Sequence, residues 1–138
     1  MRNMILISFV VLLSACGSLG HRFDILQKPA SDEALIYYYR PSKFFGQGMY
    51  YDVEENKNIV TTLYNGGYYP HHTTPGEKHI EASTEGKSEL FFTAEKGKTY
   101  FVRGKVNVGV LMGRPSLRLV PEEKALKELQ ECRIIEKD

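Results

Sequence analysis

Between Tyr100 and Val110 the chain alternates with period two. Tyr100, Val102, Val106, Val108 and Val110 fall on one side, and Phe101, Arg103, Lys105 and Asn107 on the other. Successive side chains point to opposite faces only in an extended strand. The stretch therefore predicts a strand with one face on a core. Gly104 lies on the apolar side, where a bulge or a close neighbour would suit it. Shorter β-type runs cover Ala34–Arg40, Met49–Glu54, Ile59–Tyr64, Gly67–His72, Ser88–Thr93 and Leu117–Leu119, with Ile80 and Ala82 marking another. Turn chemistry separates them at Glu55-Asn56-Lys57-Asn58, Asn65-Gly66, Pro75-Gly76, Glu85-Gly86-Lys87 and Lys96-Gly97-Lys98. Asn65-Gly66 is the strongest hairpin signal, because a type I′ turn needs positive φ at both central residues. The pattern predicts a mainly β chain, an antiparallel β-sandwich or small barrel of about seven strands.

The period changes after Pro121. Pro121-Glu122-Glu123 suits a helix start, with a proline in the first turn and acids near the positive end of the dipole. Ala125, Leu126, Leu129 and Cys132 form one apolar stripe at helical spacing. One C-terminal α-helix is expected, covering an open edge or one end of the sheets. Cys132 would be buried on it, with Ile134 and Ile135 docking or starting an edge strand.

The N-terminus reads as a targeting segment. A basic start, Met1-Arg2-Asn3, precedes the apolar run Met4–Leu13 and the small residues Ser14-Ala15. The run is far short of the roughly 20 apolar residues that span a bilayer. The sequence Leu13-Ser14-Ala15-Cys16 resembles the bacterial lipoprotein box. The resemblance implies cleavage of residues 1–15 as a signal peptide and a covalent lipid on Cys16. Gly17 in place of an aspartate implies the outer membrane, with the body facing the periplasm, if the host is Gram-negative. Residues 16–33 are expected as a lipidated tether, from which Phe23, Ile25 and Leu26 could dock back. Residues 34–138 form the expected β-sandwich domain with its C-terminal helix.

The features Ile36-Tyr37-Tyr38-Tyr39-Arg40-Pro41, Leu63-Tyr64-Asn65-Gly66-Gly67-Tyr68 and Thr74-Pro75-Gly76-Glu77-Lys78-His79-Ile80 resemble the bacterial family called domain of unknown function 2846. The resemblance spans Ala34 to Val120. It implies a small lipoprotein with a β-rich body and carries over no catalytic or ligand residues.

The chain has 18 basic and 17 acidic side chains, and Arg2 would leave with the signal. Such a balance gives no electrostatic footprint for nucleic acid. Enzyme motifs are missing: there is no Gly-x-Ser-x-Gly, Ser-x-x-Lys or His-Glu-x-x-His. No catalytic residue and no cofactor beyond the lipid on Cys16 is expected, and the chain is read as a non-enzyme. His71, His72 and His79 are the candidate metal ligands, brought together if Pro75-Gly76 closes a hairpin. Adjacent histidines of a strand point to opposite faces, so at most two or three ligands could meet. With nine tyrosines, seven phenylalanines and no tryptophan, an aromatic surface at Tyr64, Tyr68 and Tyr69 is the candidate for a protein or glycan partner. Arg103 and Lys105, with Arg114 and Arg118, could meet an anionic partner or simply be solvated. The expected function is a membrane-anchored accessory or binding module of the cell envelope. A subunit of a secretion or export assembly, or a weak metal- or ligand-binding periplasmic protein, are the other readings.

Overall fold

The computed structural model describes residues 19–137. Cys16 and the signal segment lie outside them. The described chain is mainly β, with ten strands in two sheets and one helix, consistent with a β-sandwich. The strands are β1 Leu19–Arg22, β2 Ala34–Tyr39, β3 Tyr51–Glu55, β4 Asn58–Leu63 and β5 Gly67–Thr73. They continue with β6 Gly76–Ser83, β7 Lys87–Ala94, β8 Thr99–Asn107 and β9 Arg114–Leu119; helix α1 Glu122–Leu129 and β10 Arg133–Ile135 complete the chain. One sheet has the order β1-β10-β5-β2-β8-β9 and the other β4-β3-β6-β7.

Several expectations need correction. The barrel alternative fails, because both sheets are open. The ten strands are the eight β-type runs read from the sequence, against about seven expected, plus β1 from the expected tether and β10 from the tail. The sheets are not wholly antiparallel: β2 runs parallel to β8, and β5 to β10. Asn65-Gly66 and Pro75-Gly76 do not close hairpins. The first joins β4 to β5 and the second β5 to β6, so each crosses between sheets. The two-residue turn with positive φ is Asn56 (48°) and Lys57 (72°), between the paired residues Glu55 and Asn58. Asparagine and glycine tolerate positive φ wherever a bend needs it; the dipeptide signalled a bend without saying which sheet follows. At Gly66, with φ of 73°, that freedom is used for the crossover.

One core fills the space between the sheets. Ile36 and Tyr38 of β2, Val53 of β3, Leu63 of β4, Ile80 of β6 and Val102 of β8 meet there, each fully buried. A second core lies on the opposite face of the six-stranded sheet. Leu35, Tyr37, Tyr39 and Phe101 pack there against Ala125, Leu129 and Cys132. Both cores are built within residues 19–135. A central strand covered on both faces reads as a continuous apolar run, which is why all of Ala-Leu-Ile-Tyr-Tyr-Tyr is buried. Truncating a residue such as Leu35 to alanine would cost about 2–5 kcal/mol.

Helix α1 supplies that second cover. It lies over a sheet face, not an edge or end. Arg103 on β8 donates from Nε to both carboxylate oxygens of Glu128, at 3.1 and 2.8 Å. The segment before β2 completes the cover. Phe23 N–H donates to Cys132 O at 2.9 Å, and its ring meets Tyr37 and Tyr68 edge-on. Gln27 N–H donates to the Tyr37 hydroxyl at 2.8 Å. Phe23 and Leu26 thus pack on the sheet, whereas Ile25 is 80% exposed.

Candidate functional site

Two loops at one end of the molecule carry the most unusual surface. Strand β2 ends at Tyr39, and the chain turns outward through residues 40–50. Arg40 is buried, and its guanidinium organises the loop. It donates to Gly46 O and to Met49 O, each at 2.6 Å, and lies 5.8 Å from the Tyr51 ring centre. Burial lowers its basicity, and the charge interaction with Tyr51 counters that in part. Lys43 N–H donates to the Asn65 side chain at 2.9 Å, which fixes the loop to the β4–β5 crossover.

The second loop joins β8 to β9 through residues 108–113. The Glu85 carboxylate accepts the N–H groups of Val110 and Leu111 at 2.6 and 2.9 Å. Those bonds hold its carboxyl below the usual range. The Thr84 hydroxyl donates to Gly113 O at 2.6 Å, and Gly113 N–H reaches Met49 Sδ at 3.1 Å, joining the two loops. A side chain at Gly113 would meet Val106 and Met49, so glycine permits this close approach.

With their backbones tied down, the loops present apolar side chains to water. Phe44 is 89% and Leu111 92% exposed; Phe45, Val108, Val110 and Met112 are exposed too. Phe45 and residues 108–113 line one shared depression, so the patch is continuous across the loops. Beside it a cavity of about 370 Å³ is lined by Arg40, Lys43, Phe44, Phe45, Lys105 and Val106, among others. Contiguous exposed apolar surface of this kind marks an interaction site.

The sequence reading missed this end. It extended the Tyr100 strand through Val108 and Val110, which lie beyond β8. The available signal was Val110-Leu111-Met112, three consecutive apolar residues between Gly109 and Gly113 that no single strand face can bury.

The expected aromatic surface is not exposed. Tyr68 is buried in the second core, and Tyr64 and Tyr69 are half-buried against the first. Tyr64 leans on the exposed Tyr50, with ring centres 5.4 Å apart.

The three histidines are kept apart, because β5 and β6 belong to different sheets. His71 faces Glu55 at 3.4 Å. His72 lies between Glu33 Oε1 at 2.7 Å and Gln27 Oε1 at 2.9 Å. His79 stacks on Phe91, ring centres 4.3 Å apart, on the solvent face of the four-stranded sheet. Its Nε2 lies 2.9 Å from Glu81 and 3.7 Å from Glu89. The contact with Glu81 is close, but it is too far off line to count as a hydrogen bond. His79, Glu81 and Glu89 could offer three ligand atoms within 4.8 Å of one another. Lys57 and Lys87 already occupy those carboxylates: Lys57 reaches Glu81 at 2.7 Å and Lys87 reaches Glu89 at 2.5 Å. A divalent cation would have to displace both.

Cys132 is fully buried, its Sγ near Glu128 O at 3.5 Å and Arg40 O at 3.9 Å. Burial, then the nearby carboxylates of Glu128 and Glu131, push its thiol up to about 12.

Among known proteins, the chain is similar to an uncharacterised protein of Haemophilus influenzae. The two are 26% identical over 132 residues, which covers 90% of this chain and 78% of that protein. No family model matches the chain, and no solved structure matches it.

Proposed function

We propose that this chain is a lipid-anchored bacterial envelope protein, a non-enzymatic binding or accessory module whose Cys16 carries the lipid. On this reading it sits on the outer membrane and faces the periplasm. The observation that carries the reading is the run Leu13-Ser14-Ala15-Cys16 behind the apolar stretch Met4–Leu13; the position of β1 bears on how close such an anchor would hold the domain. Strand β1 starts at Leu19, three residues after Cys16, and pairs with β10. Three extended residues reach about 10 Å. A lipid on Cys16 would hold the domain against the bilayer, closer than a tether through residue 33 would. The non-enzymatic part is supported by Cys132, a buried thiol far from the reactive thiolate range.

Growth with an alkyne-tagged fatty acid tests the anchor. The wild-type protein should take up the tag and fractionate with membranes, and Cys16→Ser should do neither. Equal tagging of both proteins would contradict the reading.

A second reading, a subunit of an envelope secretion or export assembly, is favoured by the apolar two-loop end. Crosslinkers placed at residue 45 would then capture one defined partner in cells.

A further inference from the structure

We infer that the two-loop end is a second membrane contact, whose apolar tips enter an anionic phospholipid surface while a basic collar meets the headgroups. The inference deepens the membrane-anchored reading and takes its setting from it.

The charge of this end fits an anionic bilayer. Residues 40–50 and 103–114 contain five basic side chains and no acidic one, in a chain that as a whole carries 18 basic and 17 acidic side chains. Arg40 is consumed by carbonyls and Arg103 by Glu128. Lys43, Lys105 and Arg114 are exposed, and no carboxylate among the described residues forms an ion pair with them. Glu85 is the acid packed beneath the tips; its oxygens accept N–H groups of the loop itself and feel the charge of Arg114, so Lys43 and Lys105 are the main cations of the collar. The tips are Phe44, Phe45, Val108, Val110, Leu111 and Met112. Apolar side chains ahead of basic ones match the order of a bilayer, acyl region below phosphate.

The contact is weak alone and becomes effective when the anchor supplies a high local concentration. Its test leaves the anchor out. Residues 17–138 contain both cores, so this chain can be sedimented with vesicles of phosphatidylglycerol mixed into phosphatidylcholine. Binding should fall with added salt. It should drop by about tenfold or more on phosphatidylcholine alone. Phe44→Ser/Leu111→Ser should lose about as much on the anionic vesicles, and Lys43→Glu/Lys105→Glu should lose the salt-sensitive part. Both pairs lie on the surface, so the fold should be unaffected, as circular dichroism would verify. Undiminished sedimentation of the Phe44/Leu111 variant would overturn the inference. So would a wild-type chain that ignores anionic vesicles; capture of a protein through residue 45 would then assign the same end to a partner. Neither failure touches the acylation of Cys16.

Discussion

The Tyr38 hydroxyl donates a 3.0 Å hydrogen bond to the carboxylate of Glu55, across the gap between the two sheets. Tyr38 belongs to β2 of the six-stranded sheet and Glu55 to β3 of the four-stranded one. Thr73 also donates to Glu55, at 2.8 Å, and the buried Lys78 ammonium lies 3.4 Å away. The carboxylate is therefore a polar rivet through an apolar core. Removing one member of such a group leaves the others buried without partners. Glu55→Ala should destabilise the fold by about 3–5 kcal/mol, read as a lower urea midpoint. An unchanged midpoint would contradict the rivet.

The same group makes stability depend on pH. Burial alone would raise the Glu55 carboxyl. Hydrogen bonds from His71 and Thr73, with the charges of His71 and Lys78, outweigh burial and hold it at about 2. An unfolded glutamate titrates near about 4.3. Between those values the unfolded chain binds a proton that the native one does not. Its contribution is thus complete above about pH 5 and disappears as pH falls toward 2, amounting to at most about 3 kcal/mol. Glu55→Gln should flatten the acid limb of a stability-versus-pH curve, and an unaltered limb would place the acid sensitivity elsewhere.

Arg40 decides whether the first apolar loop keeps its shape. Its bonds to Gly46 O and Met49 O are charge-assisted and partly buried, and each such bond contributes about 1.5–3 kcal/mol. Arg40→Met should keep the stem's packing but release the loop. Limited proteolysis should then cut between residues 42 and 50 sooner than in the wild type. Equal cutting rates would show that the loop is held by other contacts.

The Cys132 thiol should be inert in the native protein. With its titration pushed up to about 12 and no exposure, a thiol-reactive probe at neutral pH should label it only after denaturant is added. Rapid labelling of the native residues 17–138, which lack Cys16, would show that the second core opens.

Single elements show what the sequence could convey. Gly104 was legible: its place on an apolar face required a close neighbour, and a Cβ there would stand 2.5 Å from the Tyr51 hydroxyl. Helix α1 was legible from its stripe and its acidic start. The partners of the strands were not, because Asn65-Gly66 and Pro75-Gly76 encode bends, and only the assembled core decides which sheet receives the next strand. That ambiguity separated His72 from His79. Tyr68 misled for a related reason, since period two describes faces but not what covers them. The loop 108–113 escaped because its valines continue the alternation of β8 past the last ladder bond. Cys16 lies outside the described residues, and its role rests on the sequence.

The mass of the N-terminal peptide from the membrane fraction tests the anchor most directly. The peptide should begin at Cys16 and carry a diacylglycerol on its sulfur. An unacylated peptide, or one that retains residues before Cys16, would contradict it.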